Sequence, residues 1–249
     1  RMRERLPEDA APQVVRRVVT PSGRGPASTR PDAPSSTLTL ATSTVIVEGA
    51  RRADLTYATS LGARILDEGY DGKTLLQTES VAAAFALIAA LSTREIGSVS
   101  PNFLRRVERP APSAGKDWAR SKIGLAKAWK ITRGDPAVRV AVLDEGVDTS
   151  HPALRSAVVG EQDFVGDKGA SAMPDGDDAH GTACAGIAVS RDTKMPGVAP
   201  ECSLLAARIA MGDDNGGWVT DDFAIADAID WAWRQGAAVL SNSWGGGAP

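Results

Sequence analysis

Along the chain, the alternation of apolar and polar positions changes character twice. Residues 1–40 are rich in Pro, Arg, Ser and Ala and follow neither the helical nor the strand period, the composition of an unfolded or loosely attached tail. The β-branched run Thr44, Val45, Ile46 and Val47 then predicts a strand, and residues 51–60 a helix. Residues 63–66 and 74–77 predict two more strands, joined as a hairpin through the turn signal Gly69-Tyr70-Asp71-Gly72. Ser80 can cap a helix whose Val81, Ala84, Phe85, Ile88 and Leu91 recur at three and four positions along one face. Pro101-Asn102-Phe103 leads into an extended piece at 104–107. The order β-α-β-β-α-β over residues 41–108 predicts a small ferredoxin-like α+β unit.

A Pro- and Ala-rich connector at 109–116 separates this unit from an entry segment over 117–129, in which Ile123, Leu125 and Ala128 are apolar. From there the pattern becomes one of continuous apolar runs. Val138-Arg139-Val140-Ala141-Val142-Leu143 stops abruptly at Asp144, which predicts a strand buried on both faces, with Gly146 turning the chain away. A short strand is expected within 157–165, a helix of small residues from His180, and a further buried strand over 203–209. Thr220 is the expected cap of the next helix, with Asp221 and Asp222 in its first turn, Ile225, Ala228, Ile229 and Ala232 as its buried stripe, and Gly236 ending it. Residues 237–242 then form a strand. Strand, helix, strand with short links makes the fold class α/β, a doubly wound parallel sheet preceded by the smaller α+β unit.

Composition changes this picture little. The 249 residues carry a net charge of −3, which gives no argument for nucleic acid or an anionic membrane as partner. No run of about 18 apolar residues is present to span a bilayer. Two cysteines, Cys184 and Cys202, are too few for a disulfide framework, and their apolar surroundings favour reduced, buried thiols. The opening residues lack the apolar core of a secretory signal, so the compartment is unknown: secreted if a leader is missing, otherwise cytoplasmic.

Chemistry collects beyond the carboxyl ends of strands in an open α/β sheet, where Asp144 stands. His180 opens the following helix, where the dipole favours a neutral imidazole suited to act as a base. Asp144 can hold its tautomer and stabilise the imidazolium that forms, so the two suggest the first members of a proton relay. Four blocks carry a resemblance. They are Asp144-Glu145-Gly146-Val147-Asp148 with His151-Pro152, then His180-Gly181-Thr182 with Cys184-Ala185-Gly186, then Gly197-Val198-Ala199-Pro200, and finally Ser241-Asn242-Ser243-Trp244-Gly245. In this order they resemble the subtilisin-like serine peptidases over residues 117–249, and Asp before His is the chain order known for subtilisin.

The resemblance implies a serine endopeptidase that hydrolyses peptide bonds with an Asp-His-Ser triad, of which Asp144 and His180 are present here. In the family the serine lies in a Gly-Thr-Ser-Met-Ala-like segment and an oxyanion asparagine precedes it. Neither is found among these residues, so the chain is expected to hold the N-terminal half of the catalytic domain and to be inactive as it stands. Ser243, Trp244 and Gly245 match the strand that pairs with substrate, and Gly216-Gly217-Trp218 resembles the backbone segment on the other side. Glu145 stands where kexin-type relatives carry an acidic residue facing the substrate, against the alternative of a solvated turn carboxylate. The unit at 41–108, with Val99-Ser100-Pro101-Asn102-Phe103 near its end, resembles the propeptide that blocks the cleft in that family, with processing expected in the connector.

Peptide or protein substrates and an intramolecular propeptide are therefore the expected partners. No cofactor is certain: the acidic loop at 163–178 is of a kind that can bind a structural calcium through oxygen ligands, against the favoured alternative of a solvated loop. Two other readings stay open: a pseudoprotease whose cleft holds peptides without cutting them, and an α/β metal- or nucleotide-binding protein using Asp144, Asp148, His151 and His180. The absence of a Gly-rich phosphate loop and of ligand-spaced companions weighs against the last.

Overall fold

The computed structural model describes residues 39–107, 118–166, 171–176, 178–212 and 217–245. Residues 1–38 of the expected tail, the connector and Gly216 fall outside them, whereas Thr39 and Leu40, expected in the tail, belong to the first strand. The first strand, β1 (Thr39–Glu48), is followed by α1 (Arg52–Ser60), β2 (Arg64–Glu68), β3 (Lys73–Gln77), α2 (Val81–Leu91) and β4 (Ser98–Val107). Each strand pairs antiparallel with its neighbour in the order β2-β3-β1-β4, and the predicted β-α-β-β-α-β unit is present. β1 is longer than its β-branched run. Its first three residues pair with β4 as far as Ala41↔Phe103, and where the register then shifts, Thr42 Oγ1 donates to the Asn102 carbonyl at 2.6 Å.

Ser80 caps α2 as expected, its Oγ accepting from the Ala83 N–H at 3.1 Å. The buried face, however, is Ala84, Leu87 and Leu91, while Phe85 is exposed. Every residue of this helix is apolar, so spacing alone could not say which side meets the sheet. The unit is pinned by Asp54, buried at the start of α1. It accepts from Arg94 Nε at 2.7 Å, from Arg51 Nε at 3.2 Å and from the Arg51 N–H at 3.0 Å. Arg94 above all, then the Arg51 contacts, lower the Asp54 pKa against the opposing effect of burial. A carboxylate with a lowered folded-state pKa adds stability above its unfolded value and loses it as pH falls through the folded one. Asp54→Asn should therefore lower stability at neutral pH and flatten its loss below about pH 4, as read from denaturant midpoints across pH.

The second part of the chain runs α3 (Trp118–Lys122), α4 (Leu125–Ala128), β5 (Arg139–Asp144), β6 (Val158–Asp163), α5 (His180–Val189), β7 (Ser203–Arg208), β8 (Met211–Gly212), β9 (Trp218–Asp221), α6 (Asp222–Arg234) and β10 (Ala237–Ser241). Ile123, apolar in the entry segment, is exposed, and Leu125 is the residue that packs. Strands β10-β5-β7-β6 form an all-parallel sheet in that order. Ala141, Val142 and Leu143 at its centre are completely buried. The two faces are covered separately. Val140, Val142, Leu204 and Ala206 meet Ala185 and Val189 of α5, whereas Ala141, Leu143, Leu205 and Ala207 meet Ala224, Ala228, Trp231 and Ala232 of α6. This is the doubly wound arrangement expected from the apolar runs.

The sequence did not foretell how the two parts join. β4 continues into antiparallel pairing with β9, from Leu104↔Asp221 to Val107↔Trp218, and with β8 this makes one six-stranded sheet, β2-β3-β1-β4-β9-β8. The expected cap therefore moves by one residue. Thr220 lies in β9 and its Oγ1 donates to the Ile209 carbonyl at 2.5 Å, while Asp221 caps α6 by accepting from the Ala224 N–H at 2.8 Å. The expected α6 stripe is also corrected, because Ile229 is exposed and Phe223, Asp227 and Trp231 are buried. α6 has two buried sides. Its second side meets the N-terminal unit, where Phe223 packs on Ile46 and Leu75 and its N–H donates to Asn102 Oδ1 at 3.2 Å. On the same side the Tyr70 N–H donates to Asp227 Oδ1 at 2.5 Å, Lys73 pairs with Asp230, and Arg234 pairs with Asp71.

Candidate active site

Two glycines let the elements of the site come together. β5 ends at Asp144, and the next turn passes through Gly146 at φ +129°, where a Cβ would lie 2.7 Å from Pro174. The first turn of α5 is seated against that turn, because a Cβ on Gly181 would stand 2.2 Å from the Gly146 carbonyl oxygen and 2.8 Å from the Asp144 Cβ. Only a residue without a side chain allows so close an approach. On the other side of the turn the Asp148 N–H donates to Thr182 Oγ1 at 2.8 Å. The helix start is thus tied to the strand end at two points.

This seating brings His180 onto Asp144. Nδ1 lies 3.0 Å from Oδ1 and 3.2 Å from Oδ2 of a fully buried carboxylate, and Oδ1 also accepts from the Glu145 N–H at 2.9 Å. An ionised carboxylate only accepts, so Nδ1 carries the proton and Nε2 is left with its lone pair. The Trp218 ring stands edge-to-face on the imidazole at 5.1 Å between centroids. A base with an accepting lone pair, a fixed tautomer and a buried counter-charge is the equipment for taking and returning a proton.

Glu145 has a different position from the one expected. It is fully buried, and its Oε1 accepts from the His180 N–H at 2.6 Å. Ala179, the residue at the N-cap of α5, supplies no side-chain bond, so Glu145 satisfies one of the helix's open amides from a neighbouring loop. That is a positioning task, and it replaces the expected contact with substrate. No spacing rule signals it, since the cap comes from 35 residues upstream.

The other expected residues gather nearby. Cys184 Sγ lies 3.8 Å from Nδ1 and 3.9 Å from Nε2 of His180. Trp244 Nε1 donates to the Leu143 carbonyl at 2.8 Å, and its ring packs with Ala210 and Trp218. The Ser243 side chain acts on the Cys184 thiol, lowering its pKa. Both strands expected to flank a peptide therefore converge on the imidazole, with Gly217 preceding Trp218 and Gly245 exposed beyond Trp244.

Both cysteines are free thiols, as expected, with Cys202 buried and Cys184 half-buried. Burial chiefly raises the Cys184 pKa, with help from the Asp144 and Glu145 charges and against the Ser243 side chain. Only the thiolate is nucleophilic. Alkylation of Cys184 by iodoacetamide should therefore be slower than that of a free thiol at neutral pH and keep accelerating above pH 9. Tryptic peptide mapping after timed quenching checks this.

The ligand atoms of Asp144, His180 and Cys184 lie within 4.8 Å of one another. Asp148 and His151 do not join them among the described residues. Asp148 Oδ1 accepts from Ser150, and His151 Nδ1 accepts from the Ala153 N–H at 3.2 Å, so both residues lock a turn. In the acidic loop, Asp163 and Asp175 are paired with the guanidinium of buried Arg208, the first at 2.9 Å. At these two carboxylates an arginine takes the place a cation would need.

Residues 135–249 match the sequence profile of the subtilase family, peptidase S8. This segment is similar to the subtilases. It is 38% identical to thermitase of Thermoactinomyces vulgaris over 136 residues, 53% of this chain and 46% of thermitase. It is 37% identical to the halolysin-like extracellular serine protease Nep of Natrialba magadii over 142 residues, 54% of this chain and 25% of Nep. Relatives in Nostoc sp. and Trichormus variabilis are named calcium-dependent proteases. The fold is shared with the crystal structure of fervidolysin from Fervidobacterium pennivorans, with a TM-score of 0.64 at 22% identity over 86% of this chain and 37% of that one. The chain thus spans less than half the length of these relatives. Among the described residues no helix is long and apolar enough to cross a membrane.

Proposed function

We propose that this chain is the N-terminal part of a subtilisin-like serine endopeptidase precursor. Residues 41–108 act as an inhibitory propeptide-like domain, 109–116 as the linker where processing occurs, and 117–249 as the N-terminal part of the peptidase domain. The observation that carries this is the contact of His180 Nδ1 with Asp144, made between two blocks of the subtilase-like segment. In the reaction, Nε2 of His180 takes the proton of a serine hydroxyl as it attacks the peptide carbonyl, then returns it to the leaving amine. Asp144 holds the ring and stabilises the imidazolium. The serine and the oxyanion asparagine are contributed by sequence outside these 249 residues, so the chain alone does not cleave. The substrate is an extended peptide lying between the Gly217-Trp218 and Ser243-Trp244-Gly245 segments. Secretion is the compartment we propose, by analogy with the relative named as extracellular.

The pairing of β4 with β9 beside His180 supports the inhibitory role, since it places the first unit's own strand on the edge a substrate would use. The same pairing favours a second reading, a pseudoprotease that holds a peptide strand without chemistry. Asp163 and Asp175 of the acidic loop are matched to Arg208, and the Asp144–His180 relay itself uses no metal. Fluorophosphonate labelling of the protein made from the full reading frame separates the two readings. An active peptidase labels, and loses labelling on Asp144→Ala or His180→Ala; a pseudoprotease does not label at all.

A further inference from the structure

The register of β4 on β9 assigns a specificity residue. Val107 stands opposite Trp218, whose ring touches His180, and Arg105 stands opposite Thr220, two residues farther from the imidazole. The Arg105 guanidinium is held in a two-point ion pair by Asp222, the first residue of α6, with Nη2 3.0 Å from Oδ2. The Phe103 ring lies 5.9 Å from the same guanidinium. Asp222 primarily raises the Arg105 pKa against partial burial, so the arginine stays charged in its pocket.

We propose that Asp222 forms a substrate subsite selective for arginine, and for lysine more weakly, at the position two residues before the one that pairs with Trp218. This rests on β9 being the substrate-pairing edge, as proposed above. Strand pairing fixes side-chain direction with a period of two. A peptide that replaces β4 in the same register therefore presents its residue at the Arg105 place to Asp222. A planar guanidinium meets the carboxylate at two points, an ammonium at one, and an acidic side chain is repelled. The first turn of α6 fixes Asp222 in place, where the helix dipole favours a negative charge. β4 thus presents the residue type that the site selects.

The test uses the whole 249-residue chain carrying Arg105→Glu, which turns the chain's own strand against Asp222 and opens β9 to competition. Fluorescein-labelled Phe-Leu-Arg-Arg-Val, the sequence of residues 103–107, and its counterpart Phe-Leu-Glu-Arg-Val are titrated by anisotropy. The arginine peptide should bind about 10–100-fold more tightly. Adding Asp222→Asn should remove most of that difference, and Asp222→Arg should reverse it. Equal binding of the two peptides overturns the subsite and leaves the groove intact. If neither peptide binds while hydrogen exchange shows residues 104–107 released from β9, both the subsite and the groove fail. Should Arg105→Glu not fold, judged by its imidazole resonances, Arg105→Gln takes its place with the same outcomes.

Discussion

Replacing Gly181 with alanine is expected to destabilise the chain by about 1–3 kcal/mol and to detach His180 from Asp144. In an unconstrained helix the same change stabilises by about 1 kcal/mol, because alanine has the higher propensity and glycine loses more entropy. Here the added methyl would sit 2.2 Å from the Gly146 carbonyl oxygen and 2.8 Å from the Asp144 Cβ. Neither is the far end of a flexible side chain, since one is backbone and the other is the root of the carboxylate. The helix start must therefore move away from the strand end, and the 3.0 Å contact of His180 moves with it. Denaturant unfolding gives the sign of the stability change. Loss of the downfield Nδ1 proton resonance of His180 gives the local effect, and the chain's one other histidine, His151, is the internal control. A stability gain would mean that the α5–β5 seating is looser than these distances state. The same experiment at Gly186, where a Cβ meets nothing within 4 Å, should stabilise, because propensity alone acts there.

That contrast between two glycines of one helix shows where sequence reasoning reaches its limit. Asp144 was legible because a continuous apolar run of buried-strand type stopped at a carboxylate, and His180 because small residues after it promised a closely packed helix. Both signals are local, and the fold preserves both. The face of α2 was not legible, since an all-apolar helix has no polar side to mark its outside. In α6 the failure has the opposite cause. Asp227 reads as solvent-facing, yet it is buried because the Tyr70 amide, far away in sequence, donates to it. β9 was missed because a four-residue strand beside glycines gains its partner, β4, only in the assembled fold. Glu145 was legible as an unusual residue beside Asp144, but its task depends on the direction of a helix that begins 35 residues later. In each miss a long-range contact determined the outcome, and no periodicity carries that information.

Exchanging Asp144 for asparagine in the proposed serine-bearing peptidase should lower kcat by about 10⁴-fold with KM little changed, the size associated with holding a relay imidazole in the wrong tautomer. Such a fall adds about 5 kcal/mol to the barrier. Shape is conserved by the exchange, so packing around this fully buried residue should survive and stability should change far less than activity. The chemistry is what changes. Asparagine can turn its NH₂ toward Nδ1, which then accepts, and the proton moves to Nε2, where it blocks uptake of a proton from serine. The negative charge that stabilises the imidazolium is lost as well, and Glu145, whose Oε1 is bonded to the His180 amide, is not placed to supply it at Nδ1. Fluorophosphonate labelling rates should fall in parallel with kcat, because both need the activated serine. A loss of less than about tenfold would show that Asp144 does not orient the base, since each tenfold in rate corresponds to only about 1.4 kcal/mol of transition-state stabilisation. A large fall in KM alongside kcat would instead assign the carboxylate to ground-state strain.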